Sequence, residues 1–506
     1  MGQNISGYIR LTTKGIKGDE LTIRYSELLN EDLSLRLFPA EYFYKSKSEV
    51  MTDKLICSGE KITWSPKFTY HGFRYIEIEG IRDINDIKVE SVFVHQDIKR
   101  RTSFECSNEF LNRLFDLGIK ASWSNMFYLL TDCPTREKQG WINDAQSSAE
   151  QMLTNFETEK MFEKWYQDIK DAMLSDGSLP GIIPTSGWGY HWGNGPVSEG
   201  ILFEIPYRVY LHTGNPELLT SSIDYFDRAL RFLDSQKNEE GLADFGLPDW
   251  ACPGREQKVG SAFINSIFEY KFYGIAYLAA KLKGIDEKKE YYKSKMEEVK
   301  AFIKDKFLDA NGRCIIDHQT SVSMLIYYDI CDDIESLGTQ LKNLVEKEGF
   351  HHDCGMVGIR RLFVALNKCN LQEYAYKVLT IDGYPGYKCW LDSGATTLCE
   401  MWEVDEESAS SQNHHMYSDF MSWMIKTIVG IKFNESCPGE GVFEINPYFF
   451  EELDYAKCSY NSNFGKIDVS WIKKDNGVKL SITLDDGVEA YYKGKKLQAG
   501  VSEFDV

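Results

Sequence analysis

Hydrophobic periodicity changes twice along this chain, and the two changes leave few architectures open. From residue 3 to about residue 103, apolar and polar side chains alternate at 8–12, 21–25, 61–64 and 74–78, between turns rich in Gly, Lys, Asp and Asn. Alternation of that kind marks half-buried strands, and several short strands in a row predict a β-sandwich. From residue 107 the period becomes helical: Phe110, Leu111, Leu114, Leu117 and Ile119 form one stripe, with Ser107 as the expected cap. Helical stretches recur at 145–156, 159–174, 200–211, 216–233, 261–282, 288–307, 321–330, 334–346, 356–366, 371–379 and 417–429, with no strand pattern between them. After residue 431 alternation returns, at 467–471, 478–483 and 490–492.

Consecutive antiparallel helices in about six hairpins predict an (α/α)6 barrel, whose loops collect at one end of an inner ring. The expected organisation is an N-terminal β-sandwich over 1–103, an (α/α)6-barrel catalytic domain over 104–430 and a C-terminal β-sandwich over 431–506. A chain of 506 residues exceeds what one hydrophobic core serves, in keeping with that division.

Charge narrows the partners. A net charge of −20 and a pI near 5.0 argue against nucleic acid or an anionic membrane surface, both of which need a basic face, and favour a small neutral substrate. The 12 cysteines show no Cys-x-x-Cys spacing and no regular framework, so neither a metal knuckle nor a disulfide scaffold is expected. No apolar run is long enough to span a bilayer, and the first residues lack the pattern of a secretory signal, so the expected location is cytoplasmic. No cofactor or metal is expected, because the carboxylates are spread over distant loops without calcium-loop spacing.

The loop from Asp132 to Asp144, Asp-Cys-Pro-Thr-Arg-Glu-Lys-Gln-Gly-Trp-Ile-Asn-Asp, gathers three carboxylates, an arginine and a tryptophan between two helical runs. Carboxylates that move protons beside an indole that can face a pyranose are the ingredients of a sugar site. On its own the loop reads equally well as a solvated acidic connection over a buried Trp141. A second stretch carries Asp392-Ser-Gly-Ala-Thr-Thr-Leu-Cys-Glu-Met-Trp-Glu403, followed by Ser411-Gln-Asn-His-His-Met416. Taken alone, Glu400 there reads as one more surface acid in a run with Glu403, Asp405, Glu406 and Glu407. Between these stretches, the loop 179–196 with Trp188, Tyr190, His191 and Trp192, and the Asp249-Trp250 pair, hold too many aromatics for solvated linkers. Capping of the next helix is the expected job of the polar side chains around His318 and His351, and a structural one that of His71.

The two motifs in this order resemble the bacterial α-L-rhamnosidases, the family 78 inverting glycoside hydrolases. There an Asp-Cys-Pro-x-Arg…Glu…Gly-Trp-x-x-Asp loop faces a Gly-Ala-Thr-Thr-x-x-Glu-x-Trp loop and a later Asn-His. The resemblance runs along nearly the whole chain and includes Tyr70-His-Gly-Phe-Arg-Tyr75. It implies hydrolysis of terminal α-L-rhamnosides, with Glu137 as general acid and Glu400 as general base. Asp132, Arg136 and Asp144 would bind sugar hydroxyls, Trp141, Trp188 and Trp192 would stack on the sugar, and His414 would complete the pocket. Asp249 and Trp250 are second-rank candidates. The chain departs from the family at Cys399, where a large apolar residue is usual, at Asn143 in place of Gly, and at Asn194 in place of Asp, for which Glu199 is the nearest substitute. Two other readings stay open: an α/α-toroid glycosidase for another sugar, and a carbohydrate-binding protein without catalysis.

Overall fold

The computed structural model describes residues 1–37, 50–185, 187–403 and 410–506. Asp405, Glu406 and Glu407 of the expected acidic run lie outside the described residues.

The N-terminal alternation folds into two sheets. β1 (Ile5–Thr13) pairs antiparallel with β4 (Ile62–Trp64), β5 (His71–Phe73) and β7 (Lys88–Phe93), while β2 (Glu20–Ser26) lies between β3 (Thr52–Ile56) and β6 (Tyr75–Glu79). Ile9, Leu11, Leu21, Ile23, Tyr25 and Phe73 fill the space between the sheets, as period two requires when one face is buried. His71 is part of that packing: it stacks on Tyr25 and bonds Asp53 at 3.1 Å.

The helices alternate between an outer and an inner position. Glu109–Ser124, Glu159–Ala172, Ile223–Ser235, Asp286–Phe307, Ile334–Lys347 and Gln372–Thr380 bury one stripe each. Between them come Ile142–Asn155, Ile201–Thr213, Ser261–Lys283, Gln319–Tyr327, Met356–Lys368 and the terminal turns from Phe420 to Val429, which are largely buried all round. Burial on one stripe suits a helix facing solvent, and burial all round suits one walled in by neighbours. The ring closes where Phe420–Trp423 touches both Ile142–Asn155 and Met356–Lys368. This is the six-hairpin toroid that the sequence predicts. Two local expectations shift by a residue or a break. Asn108, not Ser107, caps the first helix, its side chain accepting from Leu111 N–H, while Ser107 Oγ accepts from Asp454 N–H at 2.8 Å. The stretch 216–233 breaks at Ser221 and Ser222 into Glu217–Thr220 and Ile223–Ser235.

The C-terminal strands form a five-stranded antiparallel sheet, β16 (Gly500–Asp505), β13 (Gly477–Leu484), β12 (Gly465–Lys474), β11 (Tyr455–Ser462) and β8 (Thr102–Cys106). A second sheet orders β15 (Lys495–Lys496), β14 (Glu489–Tyr492), β10 (Val442–Ile445) and β9 (Ile431–Phe433). β8 belongs here and not to the N-terminal sandwich: Thr102 to Cys106 pair with Tyr460 to Ala456. A boundary at residue 103 therefore cuts through a strand of the C-terminal sheet. Alternation shows that 102–106 is a strand, but only its partner across more than 350 residues says which sheet it joins.

Candidate active site

The first site loop is shaped by its own ends. Asp132 N–H donates to Gln139 O at 3.0 Å and Asp132 Oδ1 accepts from Gln139 N–H at 2.9 Å, closing the turn that presents Arg136 and Glu137. Gly140 then passes so near another segment that a Cβ would stand 2.2 Å from Ile183 O; Gly140 O accepts from Ile183 N–H at 2.9 Å. Trp141 follows, and the Ile142–Asn155 helix begins.

The second loop is a doubled-back pair of segments. Glu400 N–H donates to Ser411 O at 2.9 Å and His414 N–H to Leu398 O at 2.8 Å, so the Glu400 and His414 segments run side by side like a short ladder. Thr397 Oγ1 fastens it by donating to Gln412 O at 2.5 Å. Cys399 is buried, its Sγ 3.3 Å from Gln412 Oε1, and Trp402, two residues after Glu400, stacks on Trp390 with centroids 4.5 Å apart.

Arg136 joins the two loops. Its Nη2 donates to both oxygens of Glu400, at 2.6 and 2.5 Å, and its Nε donates to Glu137 Oε1 at 3.2 Å. Trp141 Nε1 donates to Glu137 Oε2 at 2.6 Å, and Ser411 N–H donates to Glu400 Oε2 at 2.7 Å. Glu400 is 7 % exposed, so it is not a surface acid. On the floor, His414 Nε2 meets Asp144 Oδ1 at 2.6 Å, and His415 bonds Thr131 O and Ser148 Oγ at 2.9 and 2.8 Å.

These contacts give the two glutamates opposite proton affinities. Burial raises the pKa of Glu137, aided by the Glu400 charge, and Arg136 and the Trp141 bond only partly offset this. Burial also works against the charge on Glu400, but Arg136, His414 and the Ser411 N–H overcome it and hold its pKa below the usual carboxylate value. Burial and the Glu137 charge push Asp132 well up. His414 rises to about 9: burial opposes its charge, but the Asp144 bond and the surrounding carboxylates outweigh that. Several buried polar atoms of the two loops have no hydrogen-bond partner among the described residues, Asp132 Oδ2 and His414 Nδ1 among them. Among the described residues no group of three or more His, Cys, Asp or Glu side chains is placed to hold a metal ion.

The aromatic candidates form one wall. Trp192 lies 5.4 Å from Trp141, 4.9 Å from Trp188 and 6.4 Å from Trp250. Trp141 is only 7 % exposed, its N–H is spent on Glu137, and Gly193 packs against its ring; Trp188 and Trp192 are 42 % and 41 % exposed and form the outer part.

One sequence expectation needs correction. Asp249 is not a sugar ligand: it is fully buried and its carboxylate accepts from Thr320 Oγ1 at 2.5 Å and from Gly355, Val357 and Gly358 N–H at 2.9, 2.8 and 3.0 Å. It satisfies the free amides at the start of the Met356–Lys368 helix from another loop, which leaves it nothing to offer a hydroxyl. Glu199, the nearest substitute for the acid missing at Asn194, is 2 % exposed, burial pushes its carboxyl up to about 8, and its Oε1 has no hydrogen-bond partner among the described residues. His318 does cap a helix, its Nδ1 accepting from Thr320 N–H. Sequence reasoning missed His415, Ser411 and, from the N-terminal sandwich, Glu27. The His-His doublet was a usable signal for the first; nothing local marked the other two.

A toroid of six helical hairpins, with two glutamates on separate loops at one end, is the frame of the six-hairpin glycosidases. The chain belongs to the bacterial alpha-L-rhamnosidase family: residues 99–428 match its model described as the bacterial alpha-L-rhamnosidase 6 hairpin glycosidase domain, and residues 1–95 match the bacterial alpha-L-rhamnosidase concanavalin-like domain. An alpha-L-rhamnosidase of Formosa agariphila is 26% identical over 523 residues, covering 96% of this chain and 53% of the relative. One of Streptomyces avermitilis is 25% identical over 509 residues, covering 97% of this chain and 47% of the relative. Among solved structures, the alpha-L-rhamnosidase from Dictyoglumus thermophilum superposes with a TM-score of 0.89 at 28% identity, over 97% of this chain and 56% of that one. The Streptomyces avermitilis alpha-L-rhamnosidase complexed with L-rhamnose gives a TM-score of 0.89 at 23% identity, over 100% of this chain and 50% of that one, and shows the shared fold. The chain thus spans about half the length of the curated relatives it matches.

Proposed function

We propose that this protein hydrolyses terminal α-L-rhamnosides of small glycosides or oligosaccharides, with Glu137 as general acid, Glu400 as general base and inversion at the anomeric carbon. The observation that carries the reading is the pair of buried glutamates on separate loops that share one arginine, with the proton affinity of Glu137 raised and that of Glu400 lowered. Glu137, raised, keeps a proton to give to the glycosidic oxygen as the bond from C1 breaks. Glu400, lowered, is the carboxylate that takes a proton from water as the water oxygen bonds to C1. The two protons then redistribute through solvent and the product leaves.

Substrate recognition in this reading uses the unsatisfied groups. A buried carboxylate oxygen and a buried imidazole nitrogen without partners cost about 1–3 kcal/mol each, so a sugar hydroxyl that meets them is bound selectively. Asp132 Oδ2 bonds one hydroxyl and protonated His414, steadied by Asp144, donates from Nδ1 to another. Arg136 and Asp144 border the same space, and the Trp188, Trp192 and Trp250 faces stack on C–H surfaces of the substrate. A panel of p-nitrophenyl glycosides tests the specificity: turnover of the α-L-rhamnoside above all others is expected, and preference for another sugar would overturn it. Proton NMR of the first-formed sugar is expected to show the β-anomer; the α-anomer would mean that the two glutamates are misassigned.

A reducing, cytoplasmic setting is part of the proposal, supported by twelve free thiols at Cys57 through Cys458. Titration of the protein freshly isolated under thiol-trapping conditions is expected to find them all reduced; stable disulfides would count against it.

A further inference from the structure

Both site loops rest on the N-terminal sandwich. On the Glu137 side, Gly72 of β5 lies so close that a Cβ there would stand 2.7 Å from the side chains of Pro134 and Thr135. Lys138 Nζ donates to Tyr70 O and lies 4.9 Å from the Tyr70 ring. On the Glu400 side the contacts are polar and directional. Glu27, just after β2, accepts from Gln412 N–H on Oε2 at 2.9 Å and from Asn4 Nδ2 on Oε1 at 2.8 Å. Asn4 N–H donates to Thr396 Oγ1 at 2.8 Å, and Asn4 Nδ2 also reaches Gln412 O at 3.3 Å. Gln412 is the residue after Ser411, whose N–H lies 2.7 Å from Glu400 Oε2. A carboxylate of one domain thus holds the backbone one peptide away from the amide that orients Glu400 in another.

We propose that Glu27 is a positioning residue for Glu400, fixing the Ser411 N–H on its carboxylate by holding the Gln412 N–H, so that the N-terminal sandwich is a working part of the active site. The proposal rests on Glu400 being the base. Three features favour a function over simple domain packing. The clamp grips both arms of the Glu400 loop, at Thr396 and at Gln412, with its bonds directed across a domain boundary. The Gln412 arm is held from the barrel by Asn125 Nδ2, which donates to Asn413 O at 3.2 Å, and from the sandwich by Glu27 on the neighbouring Gln412, so the two domains fix it from opposite sides. A chain of oriented hydrogen bonds ending on a reacting carboxylate fixes its position to the fraction of an ångström that proton transfer needs. Glu27 also suits a place near a second carboxylate: burial pushes its own pKa up to about 7, so it can shed its charge near neutrality and still accept from Gln412.

The test compares Glu27→Ala, Glu27→Gln and Asn4→Ala with Glu400→Gln in the full chain, on p-nitrophenyl α-L-rhamnoside and on an alkyl α-L-rhamnoside. Glu27→Ala is expected to lower kcat about ten- to a hundredfold and by the same factor on both substrates, with KM within about twofold, because a misplaced base slows attack by water whatever the leaving group. Glu27→Gln keeps an oxygen for Gln412, and Asn4 can turn its partnerless Oδ1 toward the new amide, so kcat should recover to within about threefold of the parent. Should Glu27→Ala fail to fold, Asn4→Ala leaves β1 paired and is expected to show the same pattern at about fivefold. A folded variant with parental kcat, a defect that grows on the alkyl substrate, or a rise in KM alone overturns the proposal. Inactive Glu400→Gln beside such a result leaves the base assignment standing, whereas active Glu400→Gln overturns the assignment and the positioning role together.

Discussion

Two buried clusters of charge lie within the barrel, and they are built on opposite plans. Deep among the inner helices, Glu204 is met by Lys271, by Arg208 at 3.0 Å and by Arg360 at 2.7 Å. Glu150 is met by Arg208 at 2.8 Å and by Lys426, and Asp419 lies 3.4 Å from Arg360. Cations match or outnumber carboxylates there, and despite burial the pKa of Glu204 falls well below its usual value. At the loop end, among the described residues, Asp132, Glu137, Asp144 and Glu400 share Arg136 and His414, and Asp132 and Glu137 are pushed up. Burial is common to both, so it does not separate structure from chemistry. The balance of charge does: among surplus cations the Glu204 carboxyl is pushed down, and among surplus carboxylates Asp132 and Glu137 are pushed up.

The sharpest way to break this contrast is to remove the glutamates of the acid-rich cluster. Glu400→Gln is expected to cost about a hundred- to ten-thousandfold in kcat on any rhamnoside, while Glu137→Gln costs as much on an alkyl rhamnoside and far less on an aryl one, whose phenolate leaves without a proton. Azide should restore some turnover to Glu400→Gln as a β-glycosyl azide and none to Glu137→Gln. Steady-state kinetics with both substrates checks this; a Glu137→Gln variant equally slow on both, beside a near-normal Glu400→Gln, would mean that the base lies elsewhere. In the cation-rich cluster, Arg360→Met should instead lower unfolding free energy by about 3–5 kcal/mol, since it strands buried carboxylates. Denaturant titration reads that loss, and kcat per folded molecule should hold; a selective fall in kcat would erase the distinction between the clusters.

Asp249 lies between the two types, a buried carboxylate saturated by amides and not by cations. Asp249→Ala is expected to cost about 3 kcal/mol of stability, from the stranded amides of Gly355, Val357 and Gly358, with KM unchanged. A raised KM at unchanged stability would return it to the sugar site. The smallest effect expected is on the pH dependence of stability. His414, raised from 6.5 to about 9, and Glu199, raised from 4.5 to about 8, bind protons more tightly folded than unfolded. Their contributions are complete below the unfolded pKa of each and are lost as pH rises through the folded values. Melting temperature should therefore fall by a few degrees between pH 6 and pH 9, and Glu199→Gln should flatten that slope. A melting temperature that climbs over this range would show that other groups dominate.

The fold was legible because burial imposes a period. A strand with one buried face repeats every two residues and a helix every 3.6, so a sandwich, a run of hairpins and a second sandwich could be told apart without any long-range knowledge. The Glu137 and Glu400 loops were legible because each packs several reactive side chains into a short, Gly- and Pro-punctuated span. Asp249 was misread for a related reason. An Asp-Trp pair in an aromatic loop looks the same whether the carboxylate faces a pocket or the start of a helix more than 100 residues away.

The sequence by itself determined which segments are helix or strand, their order, and the chemical kinds of side chain on each site loop, because those follow from local pattern and composition. Tertiary structure alone decided that β8 completes the C-terminal sheet, that one arginine joins two glutamates 263 residues apart, and that Asn4 and Glu27 of the first domain reach the Glu400 loop in the last quarter of the chain. It also decided which glutamate's proton affinity rises and which falls. A carboxyl group's affinity depends on desolvation and on charges within a few ångströms, and neither is a property of neighbours in sequence.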